Sequence, residues 1–475
     1  MVGGTASHAG KSWMATAICR YLYRRGLRVA PFKAQNMSNN SYPCVGGGEI
    51  GRAQVAQAEA CGLEPEPDMN PILLKPTGER GSQVVVHGKV WRTLSARDYY
   101  KHHDYLAAKT EESFERLAKA LDFIVVEGAG SITELNLRRT DLVNLGFARR
   151  FGVPVLLVAD IDRGGVFASV HGTIDLLEPD ERELVRSFAA NRFRGDPALF
   201  VEGTEILERK TDTPCLGVFP YAPQIHLDAE DSVVLDEQGA EPHDAPPVAI
   251  LRFPRVSNLA DFRLLRSARW VDRPCGEQFD AIILPGSKSP ADDLMWMRAQ
   301  GLDRWIVEQH AKGTRIVGIC GGYQILGKTI DDPHGVESGQ PTIRGLDLLP
   351  VQTTLAREKV TRRVSARTVR GHAFTAYEIH VGRTEAPADV PPLAYVEGRP
   401  AGAHVGNCLG CYLHGALEEP EVVEEWLGFR PAILPSKEDS YDALGQWFAK
   451  HADTKLFDRL YLGASCASTD RGEAK

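Results

Sequence analysis

The chain has 475 residues, 43% of them hydrophobic and 25% charged, with a formal net charge of -8. That balance belongs to a globular protein and excludes a disordered or fibrous chain, while the acidic surplus offers nucleic acid nothing to hold. At roughly 150 residues per domain, the length asks for two sizeable domains. The apolar runs Phe123 to Val126 and Val153 to Ala159 fall far short of the ~20 residues a bilayer demands, so no membrane partner is expected. The opening Met-Val-Gly-Gly-Thr has no secretory character, and nine scattered cysteines suit a reducing compartment. A cytoplasmic location is therefore expected.

In chain order the first feature is Gly4-Thr5-Ala6-Ser7-His8-Ala9-Gly10-Lys11-Ser12, followed by a helix predicted over Lys11 to Arg25. Phosphate is held by inward N–H groups, a helix N-terminus and a lysine, so Gly10, Lys11 and Ser12 are the nucleotide-binding candidates. The Ser12 hydroxyl is available to magnesium, and ATP is the implied ligand. Counted from Gly4 the loop is one residue longer than G-x-x-x-x-G-K-[ST], and a plain glycine turn is the alternative. Only Met1 and Val2 precede the glycines, so the first strand is expected to be short or the sequence to begin late.

Strands are predicted over Arg28 to Lys33, Phe123 to Val126, Val153 to Ala159, Ser187 to Asn191 and Pro214 to Phe219. Helices over Gly51 to Cys61, Leu142 to Arg150 and Val166 to Leu177 alternate with them, the α/β pattern of a parallel sheet covered by helices. Glu127 ends one strand where open sheets bind ligands, and is a magnesium candidate with a turn glutamate as the alternative. Asp160-Ile161-Asp162-Arg163 ends another, and reads either as a metal or substrate contact or as surface-loop charge. A polar stretch at 236–247 reads as a linker between a first domain at 1–235 and a second at 248–450, with a tail at 451–475.

The second half resumes with strands over Val248 to Arg252, Ala281 to Leu284 and Arg315 to Ile319, and helices over Ala291 to Ala299 and Leu302 to Ala311. Gly318-Ile319-Cys320-Gly321-Gly322 places a cysteine on a glycine-flanked strand-to-helix turn, the geometry of a nucleophile elbow. A buried structural cysteine is the bland alternative. His414 is its candidate base and His380 the rival, and the amides of Gly321 and of Gly286 or Ser287 are the oxyanion candidates. Cys408 and Cys411 form a lone C-x-x-C, read as coincidence rather than metal binding.

These motifs, with Phe32-Lys33-Ala34-Gln35-Asn36-Met37, Gly48-Glu49-Ile50-Gly51-Arg52-Ala53-Gln54, Asp68-Met69-Asn70-Pro71 and Asn191-Arg192-Phe193-Arg194-Gly195-Asp196, resemble the cobyric acid synthase family of cobalamin biosynthesis along nearly the whole chain. The resemblance implies an N-terminal dethiobiotin-synthetase-like P-loop domain and a C-terminal class I glutamine-amidotransferase-like domain. It implies amidation of the b, d, e and g carboxylates of adenosylcobyrinic acid a,c-diamide through acyl phosphates, with ATP, Mg²⁺ and glutamine consumed and no prosthetic group. On this chain it makes Cys320 the nucleophile and His414 its base. Lys33, Asp160, Asp162, Arg163 and Asp261 are then substrate or phosphate contacts, and Ser12, Glu127 and Glu49 magnesium ligands. Class I triads place an acid two residues after the histidine, where this chain has Ala416, so a Cys–His dyad is expected. A corrinoid is the implied partner, and a homo-oligomer is left open. Two rivals also stay open: a related ligase, such as an a,c-diamide synthase or cell-wall-precursor amidating enzyme, and a P-loop partitioning ATPase with an inactive amidotransferase module.

Overall fold

The computed structural model describes residues 1–77, 81–227, 246–337 and 340–463. Positions 236–245 of the expected linker and the tail beyond 463 lie outside the described residues.

Parallel strands build the first domain, in the spatial order Val29–Phe32, Phe123–Val126, Val2–Gly4, Val155–Asp160, Val185–Phe193 and Cys215–Pro220. A single parallel bridge, Val2 to Glu127, joins the first two strands to the other four. The strand of Val2–Gly4 is short, as expected, but it is held on both sides, because Val2 pairs with Leu156 and its carbonyl accepts from Gly128 N at 3.0 Å. From this central strand the chain goes to the edge strand Val29–Phe32, returns inward to Phe123–Val126, and then crosses to the other side. Such a reversal opens a crevice at the carboxyl ends of the strands, which is where the loop ending in Lys11 lies. Residues Val155 to Ala159 are buried without alternation because helices cover both faces.

Two small sheets in this domain escape the sequence patterns. Gln35–Met37, Ile72–Pro76, Gly81–Val86 and Lys89–Ser95 form one, and Ser41–Pro43 with Glu49–Gly51 the other. Their strands are short or polar on one face, so period-two alternation is faint.

The second domain has a sheet in the order Arg269–Val271, Val248–Leu251, Ala281–Leu284, Arg315–Ile319 and Cys408–Cys411, all parallel, with Ala403–Val405 antiparallel at one edge. Beside it stands a long hairpin of Gln352–Thr368 and Ala373–Glu385. The hairpin carries Lys359 and Arg363 to the first domain, where they pair with Glu49 and Glu64. Helix Lys437–His451, within the expected second domain of 248–450, packs instead on helix Lys11–Arg24 of the first. Trp447 lies 5.0 Å from the Phe219 ring and edge-on to Trp13. Arg20, almost fully buried, binds Glu438 at 2.6 Å and Asp442 at 2.7 Å. Among the described residues no helix is long and apolar enough to cross a membrane.

Trp447 is the largest apolar anchor of this docking. Trp447→Ala is expected to weaken the first domain by about 3–5 kcal/mol, read as a lower midpoint in urea denaturation, and an unchanged midpoint would contradict the packing described.

Candidate active site

Cys320 sits at φ 51° and ψ -105°, a region non-glycine residues avoid, at the end of strand Arg315–Ile319 and the start of helix Gly321–Leu326. The neighbouring glycine explains why the elbow is tolerated: a Cβ at Gly322 would run into the carbonyl of Leu284. Cys320 N donates to Cys411 O at 2.8 Å, so the C-x-x-C pair serves the sheet beside the elbow. Cys408 and Cys411 are both buried, and the Cys411 thiol is pushed up by that burial to about 12. No cluster of metal-ligating side chains occurs among the described residues.

His414 is fully buried and held from several sides. Its Nδ1 lies 2.7 Å from Asp261 Oδ2, and the other Asp261 oxygen accepts from Gly415 N at 2.7 Å. The Tyr377 ring stacks on it at 5.3 Å. Asn258 Nδ2 lies 3.0 Å from Nε2, on the opposite edge of the ring from Asp261. Burial alone would depress the imidazole; the charges of Asp261 and Cys320 outweigh it and push His414 up to about 10. Its proton therefore adds stability that is complete below about 6.5 and is lost as pH rises toward 10.

Two expectations are corrected here. The site is not a dyad: Asp261, from the short 3₁₀ turn Leu259–Phe262, supplies the acid that Ala416 cannot. Nor is Asp261 a substrate contact, since both oxygens are engaged and the residue is 1% exposed. No spacing rule could have found it, because the acid lies 153 residues before the histidine. The rival His380 has no such partner. Its Nδ1 faces Gly382 O at 2.7 Å, and burial lowers it to about 4.

Gly286 and Ser287 pair with Ser257 and Val256. Lys288 N donates to Arg255 O at 2.9 Å, so strand alternation turns the Gly286 amide into the ladder and the Ser287 amide out of it. Of the two oxyanion candidates in this segment, the geometry therefore favours Ser287 over Gly286. Gly321 packs directly against the Ser287 amide.

In the first domain Gly10 is left-handed at φ 95°, and Asn191 Nδ2 donates to Ala9 O at 3.0 Å, pinning the loop to a neighbouring strand. Lys11 Nζ donates to Ala6 O at 3.0 Å and Gly130 O at 2.8 Å, curled back over the loop where a phosphate would sit. Glu127 is 1% exposed and gathers donors: Ser12 Oγ and Lys33 Nζ at 2.8 Å each, and Gln57 Nε2 at 2.5 Å. The hydroxyl and carboxylate are the hard oxygens magnesium takes, usually with one or two carboxylates and phosphate oxygens. Glu49 is elsewhere and differently used. It binds Lys75 at 2.8 Å and Lys359, and accepts from Ser41 Oγ at 2.7 Å. Burial alone would raise it, but Lys359 and then Lys75 hold it well below the carboxylate range, so its oxygens are engaged by an ionic anchor between the two domains. Asp160 pairs with Arg192 at 3.3 Å and Arg163 at 3.8 Å, and Asp162 with Arg194 at 2.6 Å.

A cavity of about 550 Å³ opens beside Gly130 and Ser131, walled mainly by apolar side chains that include Met37, Leu94, Tyr99 and Leu135, with Arg138 among its polar groups.

Residues 1–234 match the family model described as the CobQ/CobB/MinD/ParA nucleotide binding domain, and residues 247–422 the CobB/CobQ-like glutamine amidotransferase domain. The chain is 42% identical to a cobyric acid synthase of Dehalococcoides mccartyi over 95% of each chain. It is 46% identical to one of Cereibacter sphaeroides over 92% of this chain and 91% of the other, and 42% identical to one of Syntrophobacter fumaroxidans over 96% and 97%. With both domain models matched in order and the relatives spanned almost end to end, the chain belongs to the cobyric acid synthase family.

Proposed function

We propose that this chain amidates corrinoid carboxylates, the b, d, e and g side chains of adenosylcobyrinic acid a,c-diamide, using ATP and nitrogen from glutamine. The observation that carries the reading is the presence of a phosphate-gripping loop and a Cys320–His414–Asp261 constellation in one chain. The apolar cavity beside Gly130 has the size and position for part of a macrocyclic acceptor next to the loop.

At the elbow, Cys320 Sγ attacks the glutamine amide carbon while the amides of Gly321 and Ser287 receive the developing oxyanion. The C–N bond breaks as His414 gives its Nε2 proton to the departing nitrogen, which leaves as ammonia. The neutral His414 then takes a proton from water, the hydroxyl adds to the thioester, and the C–S bond breaks to give glutamate. Asp261 holds the ring and its charge throughout, without taking the proton.

At the loop, Lys11 stabilises the outer phosphate oxygens while an acceptor carboxylate oxygen attacks the γ-phosphorus, and the bond to the β,γ-bridging oxygen breaks to release ADP. Ser12 and Glu127 are the residues that would hold magnesium, whose chemistry is to neutralise phosphate charge. Lys33, bound to the same Glu127 oxygen as Ser12, adds a cation at the site of transfer. Ammonia then displaces phosphate from the acyl phosphate to leave the amide, a step that demands exclusion of water.

Mass spectrometry of the a,c-diamide after incubation with glutamine and Mg-ATP should show stepwise conversion of four carboxyls to amides. Cys320→Ser is expected to abolish glutamine-supported synthesis while leaving ammonia-supported synthesis near the parent rate; loss of both would sink the two-site reading. Asp261→Asn removes the larger of the two charges that raise His414, leaving Cys320 alone against burial. The alkaline limb of glutaminase kcat/KM should then move down from near pH 10, with a loss of about a hundredfold or more at neutral pH. An unshifted limb would refute the role given to Asp261.

A further inference from the structure

The cavity at Cys320 carries more charge than hydrolysis of an amide requires. Lys75, Lys288, Glu337 and Lys359 all line it with the thiol. Lys75 and Lys359 are committed to Glu49. Lys288 and Glu337 are not, and neither the triad nor the oxyanion amides make use of them.

Glu337 Oε2 is buried and has no hydrogen-bond partner among the described residues, although its backbone is fixed by a 2.9 Å bond from Glu337 N to Asp332 Oδ2. A buried acceptor left in that state is costly unless a ligand completes it. Lys288 follows Ser287 directly, and its own backbone bond to Arg255 holds it at the rim of the elbow. Among the charges that act on Lys288, Glu337 is the strongest and Cys320 is also felt, yet Lys288 and Glu337 form no ion pair among the described residues. Burial pushes Glu337 up to about 7 and lowers Lys288, so each charge gains from an opposite charge brought between them. Two opposite charges held apart over a nucleophile match an α-amino acid, which carries its carboxylate and ammonium on one carbon and extends its side chain away from both.

We propose that Lys288 receives the α-carboxylate and Glu337 the α-ammonium of glutamine, so that the cavity selects an α-amino acid and presents its side-chain amide to Cys320. This rests on the reading of Cys320 as the glutaminase nucleophile and adds the specificity determinants of that site.

The test compares hydrolysis of glutamine with that of glutaramic acid, which keeps the carboxylate and the amide but lacks the amine. The full-length enzyme should prefer glutamine by roughly a hundredfold in kcat/KM, as expected for a charge-assisted contact. Glu337→Gln should raise KM for glutamine by about 30-fold with kcat little changed and leave glutaramic acid unaffected, collapsing the preference. Glu337→Asp, which keeps the charge, should restore part of it. Lys288→Met should weaken both substrates alike. Ammonia-supported synthesis should be unchanged in all three variants, which certifies their folding. Retention of the full preference and a parental KM by Glu337→Gln overturns the assignment, as does a Glu337→Asp that behaves like the Gln variant. A parent enzyme that hydrolyses neither substrate overturns the reading of Cys320 itself.

Discussion

The contact between Asp261 and His414 is the constraint around which the second domain's site is arranged. Both side chains are out of reach of water, at 1% and 0% exposure. An imidazole in such a place would shed its charge, and a lone carboxylate would be costlier still, so each makes the other tolerable. The same carboxylate fixes Gly415 N, at a glycine whose φ of 82° only that residue adopts without strain. One acid thus sets both the ring and the turn that carries it, and places the opposite edge of the ring toward Cys320.

That arrangement is not the property of one domain. Asn258, which touches Nε2, has its Oδ1 3.3 Å from Ser41 N, and the next amide, Leu259 N, donates to Asn40 Oδ1 at 3.1 Å. Ser41 and Asn40 belong to the first domain, a few residues beyond strand Gln35–Met37. Tyr42 packs at 4.8 Å against Tyr377, whose ring also stacks on His414. Asn39 and Lys75 of the first domain line the thiol's cavity directly. The segment just beyond strand Gln35–Met37 therefore forms part of the wall of the thiol's cavity and of the support of His414 in the other domain.

Much of the framework was legible because the parallel strands are buried on both faces and read as continuous apolar runs, as Val155 to Ala159 do. The loop to Ser12 and the elbow at Cys320 were legible because a glycine at a forced position leaves a mark in sequence. The acid beside His414 left none: Asp261 is an ordinary aspartate in a four-residue turn, and only the folded chain brings it to His414. The two lysines on Glu49 were out of the sequence's reach for a related reason. A carboxylate between glycines looks the same whether it awaits a cation from solution or from a lysine 310 residues away. The long hairpin was missed because alternation fails along it: the middle of Gln352–Thr368 is half-exposed and charged, and Ala373–Glu385 buries four side chains in a row.

Glu49 also ties the two domains to each other. Its partners come from both domains, Lys75 from the first and Lys359 from the hairpin of the second, and all three groups are buried or nearly so. Separating the domains would strip Lys359 from a carboxylate that stays behind in a poor solvent, and breaking such a pair costs about 3–5 kcal/mol. The clamp of Arg20 on Glu438 and Asp442 resists the same motion from the far side. Docking is therefore a persistent feature of the chain and not a consequence of substrate arrival. Asn39 and Lys75 of the first domain line the same cavity as Cys320, so the wall around the thiol is itself built by both halves of this docked pair.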